Sequence, residues 1–135
     1  MTRKEAKNEL RPIKDMEKDI ASVELEIERL MAIATKMTPN YDADKISTTQ
    51  KNKIEEAVIK MEEYRSRLTR MVVKHLDYKN RCLNKIQLIE PKYQKYLIYY
   101  YFQGRTVEEI AEMIDKTPRW TYELFCIALD EYAKI

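Results

Sequence analysis

The chain has 135 residues, of which 36% are charged, with a formal net charge of +2, one glycine and four prolines. So few turn-forming residues, together with many Glu, Lys, Ile, Leu and Met, indicate an all-α protein. A single glycine excludes phosphate-binding loops and dinucleotide-binding fingerprints, each of which needs several glycines.

The first predicted element is a long helix with Pro12 in its first turn. Residues 1–9 are polar, and we expect them to be frayed or loosely helical. Apolar residues then alternate three and four apart, a heptad seam for one narrow packing face; they are Ile13, Met16, Ile20, Val23, Ile27, Leu30, Ala34 and Met37. This seam suits a partner or oligomerisation helix as well as a helix that packs on its own chain.

A loop separates this helix from a second long helix. Thr38 and Pro39 end the first helix, because a residue that precedes proline is disfavoured in the helical region. The polar stretch that follows predicts a loop over about residues 38–50. From about Lys51 an apolar stripe predicts a helix of roughly 55 Å if it is unbroken to Ile89; the stripe contains Ile54, Val58, Met61, Leu68, Val72, His75, Cys82, Ile86 and Ile89.

Residues 1–89 therefore predict a coiled-coil-like helical hairpin. Because the first helix is shorter, part of the second stays uncovered, and a second copy of the chain is the simplest cover. We accordingly expect a homodimer through the long helices.

The second long helix also carries a basic stretch. Residues 60–85 hold eight Lys or Arg against three acids, whereas residues 86–135 hold six against eight. Phosphate contacts are one interpretation and an ordinary solvated helix face is the other; the candidate contacts are Arg70, Lys74, Arg81 and Lys85.

Residues 90–135 predict a compact three-helix domain. Pro91 opens a helix over residues 91–103 whose aromatic stripe we assign to the core, with Tyr99 and Tyr100 the most exposed. Gly104, the only glycine, follows as a left-handed cap. The last two helices of the domain come after it.

Capping residues place these two helices. Thr106 and Glu109 form a capping box ahead of a helix that starts near Val107. Thr117 and Pro118 are the N-cap and first residue of the next helix. Two short helices joined by a tight turn constitute a helix-turn-helix, although such pairs also occur as plain packing units.

The second helix of this motif is the candidate recognition helix. Its predicted buried stripe consists of Thr121, Leu124, Ala128 and Leu129. We expect Arg119 to read a base edge, most often guanine, because its guanidinium can contact two acceptors at once. The other candidate contacts are Thr117, Trp120, Tyr122 and Glu123 beside it, and Arg105 and Lys116 on phosphates.

A characteristic set of residues is spread over this part of the chain. It comprises Leu88, Pro91, Tyr93, Leu97, Tyr101, Phe102, Gly104, Thr106, Glu109, Ile110, Ala111, Thr117, Pro118, Arg119, Ala128 and Leu129. The pattern resembles the C-terminal, promoter-reading domain of bacterial sigma factors. Within that superfamily, the chain is most similar to small phage and prophage transcriptional regulators of Gram-positive bacteria, of the late-gene activator type.

This resemblance implies a sequence-specific duplex DNA-binding regulator of phage or prophage genes, with host RNA polymerase as a second candidate partner. The chain departs from the pattern at three positions. Asp115 stands where a glycine is usual, and Glu123 and Phe125 replace a basic residue and a histidine, which predicts a less basic DNA-facing surface. The acidic C-terminal part favours the alternative of a helical interaction or assembly protein, such as a small DNA-packaging (terminase) subunit.

Neither catalysis nor metal binding is expected. His75 is the only histidine, which excludes two-histidine metal motifs, and Cys82 and Cys126 lack partners at metal-ligand spacing. We expect no catalytic residues, no cofactor and reduced thiols. The longest apolar run, residues 96–102, is far short of the roughly 20 residues that span a bilayer, and the start of the chain is charged at Arg3, Lys4 and Glu5. We therefore expect a cytoplasmic protein without membrane contact.

Overall fold

The computed structural model describes residues 1–35 and 48–135, except the side chain of Thr48, and the regular elements in these ranges are all helical. They are α1 (Arg3–Thr35), α2 (Thr48–Ile86), α3 (Pro91–Leu97), a π-helical turn (Ile98–Phe102), α4 (Val107–Met113) and α5 (Pro118–Ala133). The predicted all-α fold is confirmed. Met37, the predicted helix end at Thr38 and Pro39, and most of the predicted loop fall outside the described residues.

The N-terminal residues form a packed helix, whereas we expected residues 1–9 to be frayed or only loosely helical. α1 begins at Arg3, and both Ala6 and Leu10 are fully buried. Pro12 consequently lies inside the helix instead of in its first turn. Proline has no N–H for the carbonyl of Asn8, but Asn8 is exposed, so water can satisfy that carbonyl.

The described chain divides into two compact units, residues 1–17 with 74–135 and residues 18–73. The predicted boundary at residue 90 does not coincide with this division, because segments from both predicted domains share one hydrophobic core. That core contains Ala6, Leu10, Ile13, Cys82, Ile86, Ile89, Tyr96, Leu97, Tyr101, Ile110, Phe125, Ala128, Leu129, Tyr132 and Ala133. The three C-terminal helices thus depend on residues 1–17 and 74–89 to complete their core.

Polar contacts join the first turns of α1 to the last turns of α2 within the first unit. Lys85 Nζ lies 2.6 Å from Glu9 Oε1, and the Tyr78 hydroxyl donates to the backbone carbonyl of Glu9. His75 is buried, and its Nε2 lies 3.1 Å from the carbonyl oxygen of Ile13. A carbonyl can only accept, so Nε2 carries the proton. The order of these contacts shows that the two helix ends run antiparallel.

α5 packs against both α3 and α4 and supplies the largest buried side chain of the first unit, Tyr132. Burial raises the pKa of Tyr132 far above its ordinary value. Cys82 and Cys126 are free and buried, and burial also raises the pKa of the Cys82 thiol. A buried thiol with a raised pKa stays protonated and unreactive.

The second unit contains the part of the heptad seam that follows Met16. On α1 the predicted positions between residues 20 and 34 are buried or half-buried. On α2 one predicted position is wrong, because Ala57 is 3% exposed whereas Val58 is 42% exposed. Ala57 and Tyr64 complete the alternation of three and four residues with Ile54 and Met61, and the small alanine allows close packing.

α2 ends at Ile86, just before its predicted end at Ile89. The backbone N–H of Ile89 donates to the carbonyl of Ile86 at 3.1 Å, which forms a short turn that keeps Ile89 buried. Glu90 is extended and Pro91 opens α3. Among the described helices, none combines the length and the apolar character that crossing a bilayer requires.

A two-point ion pair ties α1 to α5. Arg3 donates through Nε and Nη2 to the two carboxylate oxygens of Asp130, at 2.8 and 2.7 Å. These hydrogen bonds hold the pKa of Asp130 below its ordinary value of 3.8. Because both side chains are partly exposed, solvent screens the interaction, and its contribution is smaller than that of the buried core.

We expect Leu10→Ala to lower the free energy of unfolding by about 2–5 kcal/mol, because Leu10 is completely buried and the change leaves a cavity. Urea denaturation followed by circular dichroism measures this. Leu25, on the same helix, is 65% exposed, so Leu25→Ala is the matched control and should change stability by less than about 0.5 kcal/mol. Equal effects of the two changes would contradict the placement of Leu10 in the core.

The Arg3–Asp130 pair predicts a pH dependence. A carboxylate with a depressed folded-state pKa stabilises the protein above the unfolded-state value, and this contribution disappears as pH falls through the folded-state pKa. Asp130→Asn should therefore lower the melting temperature at pH 7, and the difference from the wild type should shrink below about pH 4. Asp77→Asn, at an exposed aspartate of α2, is the control. A difference that stays constant down to pH 2 would argue against the pair.

Candidate nucleic-acid interface

α4, the first helix of the motif, is fixed by its cap. The Thr106 hydroxyl accepts a hydrogen bond from the backbone N–H of Glu109 at 3.2 Å, and the Glu109 carboxylate lies 3.3 Å from the same hydroxyl. Ile110 and Ala111 are buried behind this turn. The predicted start at Val107 and the capping interaction of Thr106 with Glu109 are confirmed.

The tight turn between α4 and α5 depends on Asp115, whose φ of 55° lies in the left-handed region. The N–H of Lys116 donates to the carbonyl of Ala111 at 3.0 Å, and the N–H of Asp115 donates to that of Glu112 at 3.3 Å. This pair of bonds is the Schellman motif that normally ends a helix with glycine. Aspartate tolerates this region better than most residues, so the turn forms without glycine.

α5, the candidate recognition helix, begins as predicted. The Thr117 hydroxyl accepts from the N–H of Trp120 at 3.2 Å, and Pro118 is the first helical residue. The completely buried Thr121 donates its hydroxyl to the carbonyl of Thr117 at 3.0 Å, which anchors the first turn to the core. Of the predicted stripe, Thr121, Ala128 and Leu129 are buried and Leu124 is half-buried.

Phe125 belongs to the core, which corrects its assignment to the DNA-facing surface. It is 4% exposed, and its ring centroid lies 4.8 Å from that of Tyr100 and 5.9 Å from that of Tyr101. Tyr99 and Tyr100 were predicted to be the most exposed residues of the aromatic stripe. Both are half-buried, and both pack against this cluster. A histidine in place of Phe125 would therefore lie in the core and not at a DNA-facing surface.

The first turns of α5 present four exposed side chains, as predicted: Arg119, Trp120, Tyr122 and Glu123. Arg119 has 92% of its side chain exposed, and its Nε lies 3.7 Å from Glu123 Oε1 one turn later. An exposed ion pair at this distance is weak. The Arg119 guanidinium is thus available to a ligand, with a carboxylate beside it.

An open groove of about 430 Å³ lies at the start of α5, lined by Asp115, Lys116, Thr117 and Trp120. The ammonium of Lys116 lies 5.7 Å from the centroid of the Trp120 ring, within range of a cation–π contact. Trp120 is 49% exposed. A cation in this position can bind a phosphate, and the exposed indole beside it can stack on a sugar or a base.

Tyr122 and Arg105 are two further predicted contacts. A hydrogen bond with Cys126 raises the pKa of the exposed Tyr122 above its ordinary value. Arg105 is half-buried, and its Nε donates to Gln103 Oε1 at 2.9 Å. Gly104, with φ of 67°, forms the predicted left-handed cap just before it.

The four predicted phosphate contacts on α2 divide between the two units. Arg70 belongs to the second unit, whereas Lys74, Arg81 and Lys85 belong to the first. Lys85 Nζ lies 2.6 Å from Glu9 Oε1, so its charge is paired within the chain. Lys74 and Arg81 remain exposed, with the Arg81 guanidinium 5.3 Å from the Tyr78 ring.

α1 contributes to the first unit a cation that was not among the predicted site residues. Lys14 Nζ lies 3.9 Å from the centroid of the Tyr100 ring. The assignment of residues 1–17 to a separate hairpin concealed it. The sequence signal for this packing is the spacing of Ala6, Leu10 and Ile13, four and three residues apart, which extends the seam towards Arg3.

The charge on the motif is acidic overall. Between residues 106 and 123 there are five acids and two basic residues, and α4 exposes Glu108, Glu109, Glu112 and Met113. A phosphate backbone is repelled by this face of α4, so a nucleic acid must approach along α5 and Lys116. Within the described ranges, no cluster of three or more His, Cys, Asp or Glu side chains could hold a metal ion.

We expect substitutions of Asp115 to change stability in opposite directions, according to how well the new residue tolerates a positive φ. Asp115→Ile should lower the free energy of unfolding by about 1–2 kcal/mol, because a β-branched residue is strained at positive φ. Asp115→Gly should preserve or raise stability, since glycine adopts this conformation without strain. Chemical denaturation measures both, with Glu112→Ile on exposed α4 as the control. Equal stabilities of the Ile and Gly variants would contradict a left-handed Asp115.

The chain was also compared with known proteins. No protein-family model matches it, and no significant match appears among curated proteins or solved structures.

Proposed function

We propose that the chain is a sequence-specific, double-stranded DNA-binding regulator of transcription that acts on phage or prophage genes in the cytoplasm of a bacterial host. The observation that supports this proposal best is the capped α5, whose first turns hold Arg119, Trp120, Tyr122 and Glu123 in solvent. Recognition helices contact base edges with the residues of their first turns. The resemblance to the promoter-reading domain of sigma factors gives the proposal its biological setting.

Each side chain has a distinct role in this proposal. Arg119 reads a guanine through two hydrogen bonds in the major groove. Lys116 and Arg105 contact phosphates on either side of α4, and Thr117 contributes a hydroxyl at the helix start. The aromatic and acidic neighbours of Arg119 shape the remaining contact surface.

Few phosphate contacts are available to a single motif, because five acids lie within it. Exposed Lys74 and Arg81 on α2 add sequence-independent attraction. Affinity also increases when two copies bind together, so we propose a homodimer through the long helices. RNA polymerase of the host is a further proposed partner, which would place the motif on DNA through protein contacts.

The acidic face of α4 favours a second candidate function. Exposed Glu108, Glu109 and Glu112 beside Met113 suit a protein surface better than a phosphate backbone. In this alternative the chain is a helical interaction or assembly protein, such as a small DNA-packaging (terminase) subunit. Such subunits form large rings, so sedimentation that reveals eight or more copies would favour the alternative.

The test is selection of bound duplexes from a random DNA library at about physiological salt, where non-specific binding is weak. We expect a reproducible motif, and we expect Arg119→Ala to relax preference at one base pair, a loss of about 1–3 kcal/mol. Arg11→Ala, at an exposed arginine of α1, is the matched control. Trp120 is the only tryptophan, so quenching of its fluorescence by the selected duplex reports binding at the motif.

No enrichment of any sequence, or a motif unchanged by Arg119→Ala, would contradict the assignment of Arg119. In the first case, a pull-down with RNA polymerase separates a protein-recognition motif from one that needs polymerase in order to bind DNA.

A further inference from the structure

The first turns of α1 carry a row of cations, called the basic stripe below, which consists of Lys4, Lys7, Arg11 and Lys14. These residues alternate three and four positions apart, so they share one face of the helix. Lys4 and Arg11 are exposed, and Lys7 and Lys14 are half-buried. At about 1.5 Å per residue, the stripe extends over roughly 15 Å.

The acids of the same segment lie away from the basic stripe, at its edge, or in an ion pair. Glu9 lies 2.6 Å from Lys85. Glu5 and Glu17 lie more than about a quarter of a turn from the centre of the stripe, at roughly 100° per residue, and Asp15 lies at its edge. The ion pairs among the described residues include none of the four cations, so no carboxylate in that part of the chain is paired with them.

Contacts near both ends place the basic stripe beside α5 in the first unit. Arg3, at the start of α1, donates two hydrogen bonds to Asp130 of α5. Lys14 Nζ lies 3.9 Å from the centroid of the Tyr100 ring, and that centroid lies 4.8 Å from the centroid of Phe125, also on α5. The first turns of α1 therefore lie next to α5 over the length of the stripe.

The face of α5 that meets α1 also carries Arg119. Arg119 and Asp130 are 11 residues apart, close to three full turns, so both side chains leave α5 on the same face. A hydrogen bond with Cys126 raises the pKa of Tyr122, one turn after Arg119, and the positive charge of Arg3 opposes this rise. A long ligand that Arg119 contacts can therefore also reach the cations of α1.

The surroundings of the basic stripe favour a phosphate backbone over a lipid surface. Between residues 3 and 18, which the structure describes throughout, no large apolar side chain is exposed. A helix that binds a membrane surface needs exposed apolar residues next to its cations. The roughly 15 Å of the stripe matches the rise of about four base pairs, at about 3.4 Å per phosphate of one strand. A row of phosphates fits this row of cations.

We infer that the basic stripe of α1 binds the phosphate backbone of the duplex whose base edges α5 reads. Its cations supply the sequence-independent contacts that the acidic helix-turn-helix lacks. The inference rests on the proposed function for its ligand, duplex DNA, and adds the start of the chain as a second binding element. The stripe strengthens binding to every duplex, whereas Arg119 selects among them.

The salt dependence of duplex binding by the full chain tests the inference, with both a mixed-sequence duplex and the selected one. The triple variant Lys4→Gln, Lys7→Gln, Arg11→Gln should bind both duplexes at least about tenfold more weakly at about physiological salt. Its plot of log affinity against log salt concentration should be shallower by about 2 to 3, because each phosphate contact contributes about 0.9 to the slope.

The matched control removes the same charge from exposed positions of α2 in the second unit, with Lys51→Gln, Lys53→Gln, Lys60→Gln. We expect this variant to retain the affinity and the slope of the wild type, and circular dichroism verifies that both variants are folded. An equal loss in the control would indicate a general effect of net charge and would overturn the inference. Wild-type binding of poly-glutamate as tight as that of the duplex would identify an acidic protein as the partner of the stripe and would also overturn it.

The base preference separates this inference from the proposed function. Arg11→Ala should weaken binding to every duplex and leave the selected motif unchanged, whereas Arg119→Ala relaxes the motif. A triple variant that loses affinity for all duplexes, with no motif selected by the wild type, would support the stripe and contradict sequence reading. A motif that depends on Arg119, together with a triple variant of wild-type affinity and slope, would overturn the stripe alone.

Discussion

The packing of the first turns of α1 against α5 and the end of α2 is the constraint on which the rest of the first unit depends. Ala6, Leu10 and Ile13 fill the core that α3, α4 and α5 share. The helix-turn-helix is therefore held by residues that precede it by about a hundred positions. In its candidate recognition helix, Thr121, Ala128 and Leu129 are buried behind the exposed turns, so that local caps set the start of the helix and the distant core sets its orientation.

Local signals in the sequence predicted the local structure well. The Thr106 cap, the Thr117–Pro118 start of α5, the left-handed Gly104 and the exposed face of α5 all follow from interactions within a few residues, and each was predicted. The differences arose where tertiary contacts decide. Polar residues 1–9 form a packed helix because Ala6 and Leu10 are buried by partners far along the chain, and Lys85 is paired with Glu9 across two helices. No local pattern encodes those pairings.

Acidic and basic side chains lie on separate surfaces of the helices, and this separation limits which partners can bind. The first turns of α5 combine one exposed guanidinium with aromatic rings, whereas α4 is acidic, so the surface that can meet a polyanion is narrow. The basic stripe, by contrast, gathers four cations on one face of α1. A charge distribution of this kind favours recognition of a defined partner in a defined orientation over general adhesion to charged molecules.

The ion pair between Arg3 and Asp130, separated by 127 residues, has a consequence for how the protein reaches its native state. Contacts between segments so distant in sequence close large loops, and such closure slows folding relative to helix pairs joined by short turns. The second unit, built from neighbouring parts of α1 and α2, has no such loop to close. Leu129 and Tyr132 of α5 gain their full cover only when α1 docks, because Ala6, Leu10 and Ile13 belong to the same core.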